Sequence, residues 1–208
     1  MRRGKLITFE GGEGAGKSTQ VALLAERLRA AGIEAVLTRE PGGTPLAEAI
    51  RGLVLEAEPE PVTELLLFAA ARAEHVTKVI RPALERGRWV VSDRFIDSTR
   101  VYQGVLGGVP HALISAIEEG SVAPTFPDLT VILDLPPAEG RKRTQARGAL
   151  TRFDAADDAY HENLRRAFRD FAQSEPERCV VIDGARAPDE IADDVWSLVE
   201  ARLLAGAH

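Results

Sequence analysis

Gly11, Gly16, Lys17 and Ser18 stand at the spacing G-x-x-x-x-G-K-S within the stretch "GGEGAGKST". Those residue types suit one task. Glycines permit backbone angles that turn successive N–H groups toward a single anion. A lysine at that distance can reach the β/γ-phosphates of a nucleoside triphosphate, and the hydroxyl after it can ligate Mg²⁺. The segment Gly11, Gly12, Glu13, Gly14, Ala15, Gly16, Lys17, Ser18 and Thr19 is therefore expected to cradle a triphosphate as a P-loop. The bland alternative is a glycine-rich turn. The apolar run before it and the helical period after it argue against that. The motif alone does not say where the phosphate goes, because motors, switches, transporters and kinases share it.

Other residues bear chemistry. Asp93 and Arg94 follow the apolar run "RWVVSD". An arginine at such a strand end suits a bidentate grip on phosphate, and Asp93 can orient it or a water near Mg²⁺. A structural ion pair is the competing reading. Glu10 ends the first apolar run, and with Asp93 it is expected to assist Ser18 at the metal through water. Phe68 and Arg72 are four apart and share a helix face, so a ring could stack on a base while a guanidinium donates to it. A Phe in "LLLFAAA" would ordinarily be core. The most basic stretch, "GRKRTQARGALTRFD", carries Arg141, Lys142, Arg143, Arg147 and Arg152. It is a solvated basic helix, a nucleic-acid patch, or a mobile segment that closes on phosphates and excludes water. Its position directly after a strand-like run favours the last. The four His are scattered, and neither a zinc-like cluster nor a Ser–His–Asp assembly is evident.

These residues need elements to hold them. The apolar runs 5–10, 34–39, 88–93, 129–135 and 179–183 are mostly unbroken rather than alternating, which suits strands buried on both faces. Between them lie segments of helical period: one after Ser18, one from Pro45, a long one over 62–86 that Pro82 kinks or limits, then 110–119, 137–147, 158–173 and 188–204. This alternation predicts an α/β fold: a P-loop NTPase-type three-layer α/β/α domain spanning 1–208, with a five-stranded parallel sheet and a small mobile lid at about 137–153. Ligands of such sheets bind at the carboxyl ends of the strands, where the quoted motifs fall.

A net charge of −6 argues against duplex nucleic acid as the main partner. The single cysteine, Cys179, excludes an intrachain disulfide and fits the cytoplasm; within "CVVID" it reads as a small buried hydrophobe rather than a nucleophile. No secretory signal or membrane-spanning segment is expected.

The chain resembles the thymidylate kinases of bacteria. The resemblance runs through "ITFEGGEGAGKSTQ", "LTREPGGTPLAEAIR", "LLLFAAARAEH", "VVSDRFIDSTRVYQG", "LDLPPAEGRKRTQARG" and "YHENLRRAF". It implies transfer of the ATP γ-phosphate to dTMP, giving dTDP and ADP for dTTP synthesis, by a homodimer. It also implies roles at matching positions. Arg94 and Arg51 hold the acceptor phosphate. Phe68 and Arg72 meet the base, with Thr99 and Gln103 close by. Tyr102 crowds the sugar 2′ position, and Glu13 accepts from the 3′-OH. If ring bulk alone does the work at Tyr102, Tyr102→Phe changes little. Some thymidylate kinases carry an arginine where this chain has Gly14, so the missing charge is expected from lid arginines: Arg147 and Arg152, with Arg143 a further candidate. Arg39 reads as structural or paired with Glu40. Val101 stands where Ala is common. Another nucleoside monophosphate kinase and a P-loop ATPase switch are the alternatives; no NKxD-type guanine-reading motif supports the switch.

Overall fold

The computed structural model describes residues 3–148, 153 and 156–205; Arg152, His208 and the side chain of Arg147 lie outside the described residues. Strands β1 (Leu6–Glu10), β2 (Ala35–Arg39), β3 (Trp89–Asp93), β4 (Leu129–Asp134) and β5 (Cys179–Asp183) form one sheet in the order β2-β3-β1-β4-β5, every neighbouring pair parallel. The unbroken apolar runs explain the burial. All five residues of β1 are buried, with β3 and β4 flanking it. Phe9 lies opposite Asp93 and Arg39 opposite the same Asp93, so the carboxyl ends of three strands meet at one edge.

One face of the sheet is covered by α1 (Lys17–Ala30) and α9 (Pro188–Val199), whose Leu24, Leu28, Ile191 and Val195 pack on Ile7, Phe9, Val91 and Val131. The other face is covered in two parts. Ile80 and Leu84 pack on Leu6 and Val90, while Leu164 and Phe168 of α8 (Asp158–Ser174) pack on Ile132. Three layers result, as the apolar patterning requires.

Local chemistry sets the helix boundaries. Thr44 caps α2 (Pro45–Ala57), its side chain accepting from the Ala47 N–H at 3.2 Å, with Pro45 in the first turn where its missing N–H is harmless. Asp157 caps α8 in the same way through the Tyr160 N–H. The expected long helix over 62–86 is three pieces: α3 (Pro61–His75), a π-helical turn at Val76–Ile80 and α4 (Arg81–Glu85). Pro82 cannot donate within a helix, and the wider turn lies just before it. A helical stretch absent from the sequence reading follows β3: α5 (Ile96–Thr99) runs into a π-helical segment at Arg100–Leu106. It carries most of the "DRF-x-x-ST-x-x-YQG" motif. The remaining helices are α6 (His111–Ser121) and α7 (Pro137–Arg147), and a π-helical turn at Glu200–Leu204 extends α9. Cys179 is buried in β5, and burial followed by the nearby Asp97 charge pushes its thiol up to about 12, consistent with a packing residue.

Candidate active site

The loop from Gly11 to Gly16 joins β1 to α1 with φ of +130° at Gly11, +72° at Gly14 and +93° at Gly16. These angles lie in the region that only glycine enters cheaply. Gly16 occupies the N-cap of α1 without a side-chain cap, so the first N–H groups of the helix face the loop's interior. The Lys17 ammonium folds back over the loop and donates to the carbonyls of Gly12 (2.7 Å) and Gly11 (3.1 Å). Burial, then the Arg94 charge, pushes its pKa down to about 8. Ser18 Oγ donates to Asp93 Oδ2, joining the cradle to the end of β3.

Gly14 has a further reason to be glycine. A Cβ there would stand 2.9 Å from Gly140 Cα of α7, and a Cβ on Gly140 would meet the Glu13 carbonyl at 2.6 Å. The first turns of α7 therefore sit on the loop, and no side chain fits between them. Packing therefore leaves no room for a side chain at that loop position, an arginine included.

Arg94 is the hub of the site. Its φ of +68° is unusual for a bulky residue. Two bonds hold it: its N–H donates to Phe9 O at 2.9 Å, and Ser92 Oγ donates to its carbonyl at 2.8 Å. That conformation carries the side chain across the edge of the sheet. Its Nη2 donates to Glu13 Oε1 at 2.9 Å, its Nη1 to Ser98 Oγ at 3.1 Å, and the guanidinium lies over the Tyr102 ring at 5.1 Å. Burial opposes the charge, but Tyr102, Glu13, Glu10 and Asp93 outweigh it and hold the guanidinium pKa above its ordinary value.

A cavity of ≈ 780 Å³ runs past these groups, a size suited to small ligands. Residues Glu13 to Thr19 line one part, with Arg143, Arg186 and Pro188 beyond them. Arg51, Phe68, Arg72, Thr99, Tyr102 and Gln103 line the other, with Asp93 and Arg94 between. Phe68 is only half-buried and faces this cleft, so the core reading of that ring does not hold. Gly11 and Gly12 turn to a separate small cavity behind the loop.

Arg72 is 5% exposed and fixed on three sides: its Nε donates to Glu40 Oε2 (2.5 Å), Nη1 to Thr99 Oγ1 (2.9 Å) and Nη2 to Phe95 O (3.2 Å). Arg72 also lines the cleft. Glu40 also bonds His75 Nδ1 at 3.0 Å, and His75 Nε2 bonds Thr38 Oγ1 at 2.6 Å. Burial pushes the Glu40 pKa up, yet Arg72 and His75 outweigh it and keep the group ionised below its ordinary value. Arg39 is not Glu40's partner; it pairs with Glu48 at 3.0 Å. Gln103 donates to Glu64 Oε1 at 2.6 Å, and Arg51 donates to Pro41 O at 3.3 Å, following the cis Glu40–Pro41 peptide.

Two expectations need correction. Glu10 does not face the cradle. It is wholly buried, with Oε1 accepting from the Phe95 and Ser98 N–H groups and Oε2 from Ser98 Oγ, so its lone pairs anchor the start of α5 instead of a metal shell. Burial and then Asp97 push its pKa up to about 7 against the pull of Arg94. The Tyr102 hydroxyl is also not idle: it donates to Glu13 Oε1 at 2.7 Å. Tyr102→Phe is therefore expected to lower kcat/KM by about tenfold, the usual scale for a lost hydrogen bond to a charged group. The preference for a deoxy sugar should persist, because the ring remains. Kinetics with paired deoxy and ribo acceptors would separate the two effects.

In the basic stretch, Arg141 pairs with Asp158 and Lys142 with Glu139, while Arg143 lines the cleft and donates to Gly184 O at 3.1 Å. Arg147 belongs to the last turn of α7. The Phe153 ring lines the cleft and meets Tyr102 edge-on at 5.5 Å between centroids. The sequence reading missed Ser98 and His75 and gave Glu40 a different partner, although each stands inside a quoted motif.

Comparison with known proteins points one way. The family model described as thymidylate kinase matches residues 9–195. The thymidylate kinase of Nitrobacter winogradskyi is 54% identical over 98% of this chain and 91% of its own length. That of Caulobacter vibrioides is 50% identical over 98% of this chain and 99% of its own. The crystal structure of thymidylate kinase from Ehrlichia chaffeensis, 36% identical, superposes with a TM-score of 0.77 over 95% of this chain and 99% of that one.

Proposed function

The chain belongs to the thymidylate kinase family, and from that premise we propose how its cleft moves the γ-phosphoryl group of ATP to dTMP to yield dTDP and ADP. One observation carries the reading. Arg94 lies between a phosphate cradle and an aromatic, hydrogen-bonding end of the same cavity. A donor held by residues 11–19 and an acceptor held beyond Arg94 would meet at that guanidinium.

A phosphate monoester near pH 7 is largely dianionic, with a second pKa of about 6, so no general base is required. The difficulty is to bring two polyanions into line. Lys17 and the N-terminus of α1 would neutralise the donor. Arg94 and Arg51 would receive the acceptor phosphate. Phe68 would stack on the pyrimidine, and Arg72 would donate to a ring carbonyl, its aim fixed by Glu40 and Thr99. Glu13 would accept from the 3′-OH. Arg143, Arg147 and Arg152 are the cations a closing lid at about 137–153 would bring; the Gly14–Gly140 contact supports this source of charge, because the loop itself has no room for an arginine.

The donor set fits Mg²⁺. A hydroxyl, Ser18, with one carboxylate, Asp93, beside a triphosphate is the sparse protein contribution that this ion accepts. Ser18 and Asp93 would hold it, and when bound with ATP it would offset the charge of the phosphates. Among the described residues no group of three or more His, Cys, Asp or Glu forms a cage for a metal.

Leu46 and Leu53 on α2, with Val62 and Leu66 on α3, are large apolar side chains about half exposed, and they support a homodimer through these helices, to be read from the mass in solution. Among the described residues no helix is long and apolar enough to cross a membrane. The lone buried cysteine supports a cytoplasmic setting, and the net charge of −6 supports small anions rather than nucleic acid as partners. The test is steady-state phosphorylation across dTMP, dUMP, UMP, CMP, AMP and GMP. dTMP should lead, and a preference for either purine would overturn the acceptor site drawn here.

A further inference from the structure

Behind the phosphate loop lies a second, small cavity with room for the centres of water-sized spheres over ≈ 30 Å³. A buried water needs roughly 10–15 Å³ by that measure and two to four polar partners. The cavity is walled by Gly12, Glu13, Thr144 and His161, by apolar side chains of β4 and α8, and by Asp134, Arg141 and Arg165, whose charges are paired: Arg165 with Asp134 and Arg141 with Asp158. Among the described residues, two of its lining side chains each hold a buried polar atom without a hydrogen-bond partner: Glu13 Oε2 and His161 Nε2. His161 is 7% exposed, and its Nδ1 stands 3.9 Å from Glu13 Oε2, too far for a direct bond. Thr144 Oγ1 donates to Arg141 O at 3.1 Å and keeps lone pairs free to accept. Two orphaned polar atoms on one cavity of this size are the signature of a bound water, because leaving both unpaired is costly.

We propose that this cavity is a water site, that the water bridges His161 to Glu13 Oε2, and that His161 is thereby a positioning residue for the acceptor sugar. The water donates one O–H to Oε2; it accepts from or donates to Nε2 according to the imidazole tautomer. The arrangement answers a problem on the other side of the carboxylate. Glu13 Oε1 is held by Arg94 and Tyr102. Arg94 is also the cation that an incoming acceptor phosphate would attract, which would slacken its hold on Glu13. The bridge on Oε2 fixes the carboxylate from the side that the phosphate does not touch. Water-mediated bonds of this kind are nearly as favourable as direct ones.

The inference rests on the reading that Glu13 receives the 3′-OH, and its test separates the two. Acceptor dissociation constants would be measured by calorimetry for dTMP and its 3′-deoxy counterpart, with thermal unfolding as a control on the fold. Glu13→Gln should weaken dTMP far more than the 3′-deoxy compound. His161→Leu should weaken dTMP by about tenfold and the 3′-deoxy compound by less than about twofold, on the scale of one lost hydrogen bond to a charged group. His161→Gln, whose amide can reach the water, should recover much of the loss even if the leucine variant folds poorly. Adding His161→Leu to Glu13→Gln should do little more than Glu13→Gln alone. If Glu13→Gln discriminates between the acceptors while the His161 variants weaken both equally or neither, the water bridge is wrong. If Glu13→Gln itself does not discriminate, the sugar contact is wrong and the inference falls with it.

Discussion

Arg94→Ala is expected to lower kcat by about 10³-fold or more, the scale on which a single arginine at a transferring phosphoryl group acts. Three features make the effect large. The guanidinium is the cation shared by both halves of the cleft, lying between Glu13 and the Tyr102 ring. Its charge is locked on by Tyr102, Glu13, Glu10 and Asp93 despite burial. And it reaches that point only because the backbone adopts φ +68° at this residue. An alanine at the same φ suffers the same steric penalty, so the substitution removes the side chain without adding backbone strain. The phosphate loop keeps its own contacts through Lys17, Ser18 and Asp93, so ATP should bind within a few-fold of normal. Arg94→Lys should recover little, since an ammonium lacks the planar fork that grips phosphate with two bonds. Single-turnover kinetics, ATP calorimetry and thermal melting would resolve these effects. A variant with near-normal kcat would remove Arg94 from the acceptor site.

Arg94 also shows what kind of information a sequence holds. Its place at a strand end was legible because "RWVVSD" is an unbroken apolar run, and buried parallel strands deliver their next residue to the ligand edge. The phosphate loop and the helix that starts at Lys17 were legible for the same reason, since each depends on neighbours in the chain. The partners of Arg72 were not. Glu40, Thr99 and Phe95 come from three separate segments, and only their meeting under the cleft reveals that the arginine is pre-aimed. Glu10 was misread by the same limit. A carboxylate at the end of the first strand suggests a metal, but a helix beginning at Ile96 takes both its oxygens, and that helix carries no clear apolar period of its own. Local pattern thus gives elements and edges, whereas long-range hydrogen bonds decide which side chains remain free to react.

Lys17→Ala is expected to lower kcat by about 10²–10³-fold, the range for losing one preorganised group that stabilises developing charge. The ammonium does more than add charge. It bonds two carbonyls of its own loop, and burial with the Arg94 charge brings its pKa down to about 8. Phosphate oxygens favour the protonated amine, so bound triphosphate raises that pKa again. The sign follows from linkage: a group whose pKa rises on binding gives its full contribution below the free value and loses it progressively as pH climbs from the free value to the bound one. ATP affinity should therefore be flat below about pH 8 and fall above it, by at most about tenfold per pH unit for one proton. Lys17→Ala and Lys17→Met should bind ATP more weakly at pH 7 and show no such slope, because the titrating amine is gone. Calorimetry from pH 7 to 10 in two buffers of different protonation enthalpy would read both the slope and the proton taken up. A wild-type affinity flat across that range would mean that Lys17 stays fully charged in the empty cleft and that burial does not weaken its hold on the proton. Its role would then reduce to that of a fixed point charge.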